Sequence, residues 1–453
     1  MDITCFSRVE LGRLIDHLDA ERRELRAQVA ELQQRVADLE AELAQRDPPE
    51  SSAPVRPPPW VKPNKPARTS PKGPRKRRAH GASRRRAAVP TRVVRHAVAT
   101  CPGCGCGLRG GSVKRHREII EVELPPATVI DHQLVERVCP QCQRACVPTL
   151  TEQDGVVGRH RFGPTLLALI ATWHEDARLP VEVIQQQLAT LFGLRISGGA
   201  IVDALHTLAA RGAQQVEAIH AAVVASPVVH SDETTWREDG ENCYSWLLAT
   251  PTACYFTAGR RTSAMLDSIL GPTFAGVLVV DFYAAYDHCP GEKQRCWAHL
   301  LRDAKDLLTQ SPHDRSLVRW VQNLRRLFRV ARDSPTRSRA ERLAACARLE
   351  RATERLCAPF IGGTAPQRVL CERILKHLSE LYTCVRLPDV PATNNRAERD
   401  FRPLVTARKI SGGTRSAQGT RDAMARATLF RTWHARGLNS FEQARALLLS
   451  PQV

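Results

Sequence analysis

The 453-residue sequence predicts a multidomain α/β protein. Three observations carry that expectation. Two runs of strand-forming residues, Val228-Val229-His230-Ser231-Asp232 and Val277-Leu278-Val279-Val280-Asp281, each end on an acid, as buried strands do when they reach a sheet's edge. From about Arg295 to Val385, Arg, Leu and Ala recur at helical spacing. Abrupt changes of composition near residues 47 and 97 set the N-terminal part of the chain apart.

The formal net charge of +19 points to a polyanionic partner, with nucleic acid the first expectation and an acidic membrane surface the competitor. No apolar run approaches the roughly 20 residues that span a bilayer, and the N-terminus lacks the basic-then-apolar order of a signal peptide. The expectation is therefore a cytoplasmic protein, nucleoid-associated when bound to DNA, with no membrane partner. Fifteen cysteines in such a chain read as reduced thiols or metal ligands. Cys243, Cys254, Cys346, Cys357, Cys371 and Cys384, scattered singly, read as ordinary buried residues.

Residues 1–46 carry a heptad seam. Leu11, Leu18, Leu25, Leu32 and Leu39 recur every seven residues, Ile15, Val29, Val36 and Leu43 fill companion positions, and Arg22 interrupts them. The pattern predicts a parallel coiled coil joining two copies or more, or else a helix packed on its own chain. Residues 47–97 read as a disordered linker, rich in proline up to Pro74 and free of acids after Glu50. Its clusters Arg75-Lys76-Arg77-Arg78 and Arg84-Arg85-Arg86 suit DNA phosphates without reading sequence; a solvated spacer is the bland alternative.

Residues 98–155 hold Cys101-Pro102-Gly103-Cys104 and Cys139-Pro140-Gln141-Cys142, two knuckles whose four thiolates suit one structural zinc ion in a ribbon-like module. The runs Glu118 to Leu124 and Thr128 to Val138 read as paired strands between them, and Cys106 and Cys146 are spare thiols. Such a module either touches DNA or only staples the fold. Residues 156–224 are helical: a helix from Val181 through Phe192, a turn at Gly193 and a second helix capped by Ser197 have the spacing of a helix-turn-helix that enters a major groove, although any two packed helices look alike.

Residues 225–410 form the expected core. Strands at Tyr244 to Ala249 and Ala253 to Phe256 follow the first, then a helix from Thr262 to Leu270, then the strand ending at Asp281. That order matches a ribonuclease H-like sheet, in which the first and fourth strands are neighbours and Asp232 would lie near Asp281. A helical insertion occupies about 305–388, with a basic face that either steers DNA or is merely solvated. Residues 411–453 read as a C-terminal helical tail.

A third acid, Glu398 in Asn394-Asn395-Arg396-Ala397-Glu398-Arg399, falls in the first turn of a helix. Asn395 and Glu398 would equally suit a capping box, and the two aspartates would equally suit turn caps. Three hard oxygen donors are what a pair of magnesium or manganese ions needs when a phosphate supplies the remaining ligands, which points to phosphodiester chemistry on DNA. Cys296 and His299 lack a second ligand pair, so His299 reads as a polar residue at a helix start. Arg396, Arg399 and Arg402 repeat every three residues around Glu398 and suit phosphates, or solvent alone.

The strings His230-Ser231-Asp232-Glu233-Thr234, Asp281-Phe282-Tyr283-Ala284-Ala285-Tyr286, Cys296-Trp297-Ala298-His299-Leu300 and Asn394 through Arg399 with Arg402-Pro403 resemble the motif series of the insertion-sequence 66 family of DDE transposases. The order of coil, basic linker, four-cysteine module and core is similar as well. The resemblance implies a metal-binding triad of Asp232, Asp281 and Glu398 with two ions, zinc on Cys101, Cys104, Cys139 and Cys142, and DNA strand cleavage and transfer at the ends of a mobile element, with possible accessory transposition proteins. Phe282 departs from an expected glycine and would crowd the metals. Lys409-Ile410-Ser411-Gly412-Gly413-Thr414 replaces a more aromatic stretch. A non-catalytic DNA-binding regulator derived from a transposase and a structure-specific nuclease are the alternatives.

Overall fold

The computed structural model describes residues 20, 22–36, 38, 92–115, 117, 119, 126–289, 291–333 and 338–450. The basic clusters from Arg75 to Arg86 lie outside the described residues. The chain divides into two units, Met1–Ile119 and Ile120–Val453. In the first, residues 22–36 are helical, and the seam residues Leu25, Val29, Leu32 and Val36 are each more than half exposed.

The second unit opens with a short hairpin of β1 (Arg137–Val138) and β2 (Ala145–Cys146). Of the longer pairing expected between 118–124 and 128–138, residues 118 and 120–124 lie outside the described residues. Residues 126–136 have no regular structure, and only the last two residues of the 128–138 run enter a ladder, because the Cys139 knuckle turns the chain straight back on them.

Four helices follow: α1 (Pro164–Glu175), α2 (Val181–Phe192), α3 (Gly198–Arg211) and α4 (Ala213–Val224). Local chemistry sets their ends. Proline opens α1 where no intrahelical donor is lost, Gly193 closes α2 in the left-handed region, and the Ser197 hydroxyl accepts from Ala200 N at the start of α3.

The sheet comprises β3 (Val228–Glu238), β4 (Glu241–Ala249), β5 (Cys254–Gly259), β6 (Val277–Val280) and β7 (Glu292–Arg295), ordered β5-β4-β3-β6-β7, with α5 (Ser263–Leu270) between β5 and β6. β3, β4 and β5 are antiparallel, and β6 and β7 run parallel to β3. Alternation along each strand divides the core. Val229, Trp246, Leu248, Leu278 and Val280 pack with α1 to α5 on one face. On the other, Val277 and Val279 meet the helical insertion, while Leu247, Ala249, Cys254 and Phe256 meet α12 (Asn395–Ser411). Burial on both faces explains why β6 is a continuous apolar run.

The insertion comprises α6 (Trp297–Gln310), α7 (Arg315–Arg332), α8 (Arg339–Cys357), α9 (Arg368–Lys376), α10 (Leu378–Leu381) and α11 (Thr383–Arg386). Helices α13 (Ala417–Ala435) and α14 (Ser440–Leu449) close the chain. They are integral to the unit, since Leu429, Phe430, Trp433, Ala444 and Leu448 belong to the core beneath the first sheet face. Cys254, Cys346, Cys357, Cys371 and Cys384 are buried and Cys243 is half-buried. Among the described residues, no helix is long and apolar enough to cross a membrane.

Helix α13 also satisfies the sheet's edge. Its Thr428 hydroxyl accepts from Phe256 N at 2.9 Å and its Thr432 hydroxyl from Cys254 N at 3.0 Å, so one turn of helix takes the place of a sixth strand. Thr428→Val keeps the shape and leaves the buried Phe256 N–H without an acceptor. Denaturant unfolding is expected to show a loss of about 1–3 kcal/mol, with Thr428→Ser losing clearly less.

Candidate active site

Register places the acids. β3 and β6 run parallel, and their last paired residues are His230 and Val279. Asp232 and Asp281 each lie two residues further on, so they stand beside one another, roughly 5 Å apart in the backbone; Asp281 follows the end of β6, whereas Asp232, expected to end its strand, lies within β3, which runs on to Glu238 in its pairing with β4. A two-residue step keeps each side chain on the face of His230 and Val279, the face that α12 covers. Parity therefore puts Asp232, Asp281 and the helix carrying Glu398 on one side of the sheet.

Asn394 fixes that helix. Its Nδ2 donates to Ser231 O at 2.7 Å, its Oδ1 accepts from His230 Nδ1 at 2.9 Å, and its backbone N–H reaches Cys296 Sγ at 3.1 Å. Asn394 is the N-cap of α12 and makes no side-chain cap bond; the capping box considered for Asn395 and Glu398 does not form. Glu398 instead meets α6, with Oε1 3.7 Å from His299 Nε2 and 3.4 Å from Arg302. Buried Nδ1 of His299 has no hydrogen-bond partner among the described residues. Further along, Arg408 donates to the hydroxyls of Thr234 and Thr235, at 3.1 and 2.7 Å. Beyond α12, Thr414 pairs with the far end of β3, Thr414 N donating to Arg237 O at 2.9 Å. Gly413 is required there, because its φ of 115° is left-handed and a Cβ would collide with the Arg237 carbonyl.

Behind the acids, on the opposite face, lies a polar lattice. Glu233 accepts from Arg261 Nε and Nη2 at 3.0 and 2.8 Å and from the Tyr286 hydroxyl at 2.6 Å. The Arg261 guanidinium sits 3.9 Å from the Tyr283 ring centre, and the Tyr283 hydroxyl donates to Arg261 O at 2.8 Å. Fully buried Arg295, at the end of β7, donates to Asp281 O at 2.9 Å and to Glu380 at 2.6 Å, and it is also paired with Asp287. Asp232 and Asp281 each accept one backbone N–H, from Glu233 at 3.0 Å and Tyr283 at 2.8 Å, with a second carboxylate oxygen left over.

Crowding shows in the titration behaviour. Asp232 is pushed up to about 7, first by burial, then by the negative charges of Glu233 and Asp281, and least by Glu398. Burial also raises Glu233, against its bonds from Tyr286 and Arg261, and it lowers His230 to about 4, so that His230 is neutral at physiological pH. Among the described residues, no group of three His, Cys, Asp or Glu side chains forms a ready metal cage. The donors are hard carboxylate oxygens in excess of local positive charge, which fits a divalent cation whose remaining ligands come from a phosphate and water. Phe282 does not fill this space; its ring packs against His377, and the Arg373 guanidinium lies 5.1 Å from its centre, within the insertion.

Each cysteine knuckle has its own preorganisation. Cys101 and Cys139 thiols are lowered by backbone N–H groups of their own loops, Gly103 and Cys104 for the first and Cys142 and Gln141 for the second. Gly105 and Gln143, each one residue past the second cysteine, take the same left-handed backbone at φ 73° and 58°. Both loops thus hold thiols in a form suited to a metal.

The remaining expected DNA contacts divide. Arg399 and Arg402 are exposed beside Glu398, while Arg396 reaches toward Thr250 O at 3.4 Å. Helix α3, expected to enter a groove, exposes Val202, Asp203 and Ala210; its Arg211 is tied to Glu152 and Ser450 O. That face offers a phosphate no free cation. Reading the sequence missed the roles of Asn394, Glu233, Arg261 and Arg295. Three of the four stand inside or beside the quoted motif strings, whereas Arg261 gives no local signal.

A family model described as "Transposase IS66 family" matches residues 159–422, more than half of the chain and all of the sheet. The chain is also 33% identical, over 138 residues, to an "Uncharacterized protein y4jO" of Sinorhizobium fredii. That stretch is 30% of this chain and 41% of the relative, so the match spans about two fifths of the relative's length.

The raised Asp232 predicts a stability signature in metal-free buffer. Between its unfolded value near 4 and its folded value of about 7 the folded state holds the extra proton, so stability falls as pH rises through that window. Asp232→Asn removes the penalty. Its melting temperature relative to the parent is expected to rise by about 2 °C or more from pH 4 to pH 8; a difference independent of pH would refute the assignment.

Proposed function

The chain belongs to the IS66 family of transposases, and we propose that it cleaves and joins DNA strands at the ends of an insertion sequence, using Asp232, Asp281 and Glu398. The observation that carries this reading is the parallel register of β3 and β6, which sets two carboxylates side by side on the face covered by α12. The strand order, with three antiparallel strands followed across a helix by two parallel ones, supports reading the core as ribonuclease H-like.

In this reading Asp232 and Asp281 hold one magnesium or manganese ion, and Asp232 and Glu398 a second. Bound cations of this kind supply a nucleophile at neutral pH and stabilise the departing oxygen of an in-line displacement. The chain's own residues orient. Asn394 holds Glu398 to the sheet, Arg295 holds the Asp281 carbonyl, and Arg302 beside Glu398, together with exposed Arg399 and Arg402, receives the phosphates flanking the scissile bond. The basic clusters from Arg75 to Arg86 grip DNA without regard to sequence. Cys101, Cys104, Cys139 and Cys142 hold one structural zinc, and the exposed heptad seam pairs with a second copy.

Strand-cleavage assays on duplexes carrying the element's terminal repeats test the chemistry. Asp232→Asn, Asp281→Asn and Glu398→Gln are each expected to lose at least about 1000-fold in rate, the size of several kcal/mol of charge stabilisation, while binding the same DNA. Undiminished cleavage in any of the three removes that residue from the reading. The purified chain is further expected to be a dimer with one zinc per subunit, by light scattering and elemental analysis of one sample, and Cys104→Ser to lose the zinc.

A further inference from the structure

We propose that the exposed face of α7, in the helical insertion, is a DNA phosphate-binding surface. This rests on the chain's action on DNA and adds a second place where that DNA is held.

Helix α7 contains no acid over its 18 residues, Arg315–Arg332. Its buried side is fixed by Leu317, Trp320, Val321 and Leu324. Arg315, Arg319, Arg326 and Arg329, with Gln322 between them, recur on the opposite side at helical spacing, and all five are exposed. None of these arginines makes an ion pair among the described residues; on this helix only Arg332 does, with the neighbouring Asp333. From Arg315 to Arg329 the stripe is about 21 Å long, enough to follow several successive phosphates of a duplex. Helix α8 shows the contrast. It carries four exposed arginines, Arg339, Arg348, Arg351 and Arg355, the number in the α7 stripe, but interleaves them with Glu341, Glu350 and Glu354.

The surface chemistry selects the partner. Beside the guanidinium groups the exposed polar side chains are Ser316, Gln322 and Asn323, and the sole large exposed apolar residue of the helix is Val330, near its end. A protein partner needs a central apolar or aromatic anchor, and a membrane surface an apolar flank. Arginine forks with amides suit phosphate oxygens. The C-terminal end of α7 lies beside the helix that meets Glu398: on its inner side the Phe328 ring lies 5.6 Å from that of Trp297, which opens α6, and α6 brings His299 and Arg302 to Glu398. The Arg329 end is therefore level with the start of α6.

The test measures affinity of the full-length chain for a labelled 30-base-pair duplex across a salt series, which needs no strand cleavage and so stands or falls apart from the chemistry. The variant R315Q/R319Q/R326Q/R329Q is expected to bind more weakly and to flatten the log–log salt dependence by about 3 units, near 0.9 for each phosphate no longer neutralised. The control R339Q/R348Q/R351Q/R355Q, equal in charge removed, is expected to leave the slope within about 1 unit of the parent. Equal flattening by both sets would mean bulk charge, and an unchanged slope for the α7 set would mean that DNA does not touch this helix; either overturns the proposal. Unchanged DNA binding with lost binding to phosphatidylserine vesicles would overturn it in favour of a membrane.

Discussion

The arrangement depends on one buried side chain, Asn394. Both ends of its amide are used, toward His230 and the Ser231 carbonyl, and its backbone N–H is used by Cys296. Three segments distant in sequence, the strand carrying Asp232, the entry to the insertion and the helix carrying Glu398, thereby meet at one residue. A buried amide of this kind specifies geometry because any shift leaves polar atoms without partners, at about 1–3 kcal/mol each. Neutral His230 completes the fit: burial strips its charge, so its Nδ1–H donates to the Asn394 oxygen without importing a cation beside the acids.

Around that fixed point the chain maintains a charge imbalance. Glu233, on the opposite face, is paired within the fold with Arg261 and hydrogen-bonded by Tyr286, and Asp287 and Glu380 are matched by Arg295 and Lys376. No comparable cation sits on Asp232, so burial and, after it, the charges of Glu233 and Asp281 push it up unopposed by an ion pair. Acids supported from behind and left uncompensated in front are an arrangement that costs stability in the free protein and is relieved by an external cation. Glu398, by contrast, faces His299 and Arg302. Of the three carboxylates it is the one engaged by basic groups of the insertion, so its hold on a cation and its hold on α6 compete.

How much of this was readable in the sequence follows from the range of the forces involved. β6 and the start of β3 were legible because burial on two faces favours apolar runs, the continuation of β3 past Asp232 to Glu238 was not, and α2 and α3 were legible because Gly193 and Ser197 mark their ends through local chemistry. β7, Glu-Lys-Gln-Arg, was not legible: it carries no apolar alternation, and its Gln294 and Arg295 are buried through hydrogen bonds to residues some 85 to 90 positions away. Of the run expected to pair before Cys139, residues 128–136 form no ladder among the described residues, since strand propensity alone does not make a strand. Arg261 was invisible because its role is set by Glu233 and Tyr283, from different strands and loops. The acids could be named from motif strings; what holds them could not.

The insertion raises the question of how the 99 residues between β7 and α12 leave the spacing of the acids intact. Entry and exit are stitched together: Trp297 N donates to Ala392 O at 3.1 Å, and Asn394 N to Cys296 Sγ at the same distance. With its ends closed, the insertion behaves toward the core as one loop, whose closure entropy grows only with the logarithm of its length. It then folds around its own apolar cluster, from Trp297 to Val390, with Trp320 and Tyr382 at its centre. The stitch lies beside Asn394 and within a turn of His299, and Cys296 N donates to Val280 O at 2.7 Å, so the root of the insertion is bonded both to the strand that leads to Asp281 and to the helix that carries Glu398.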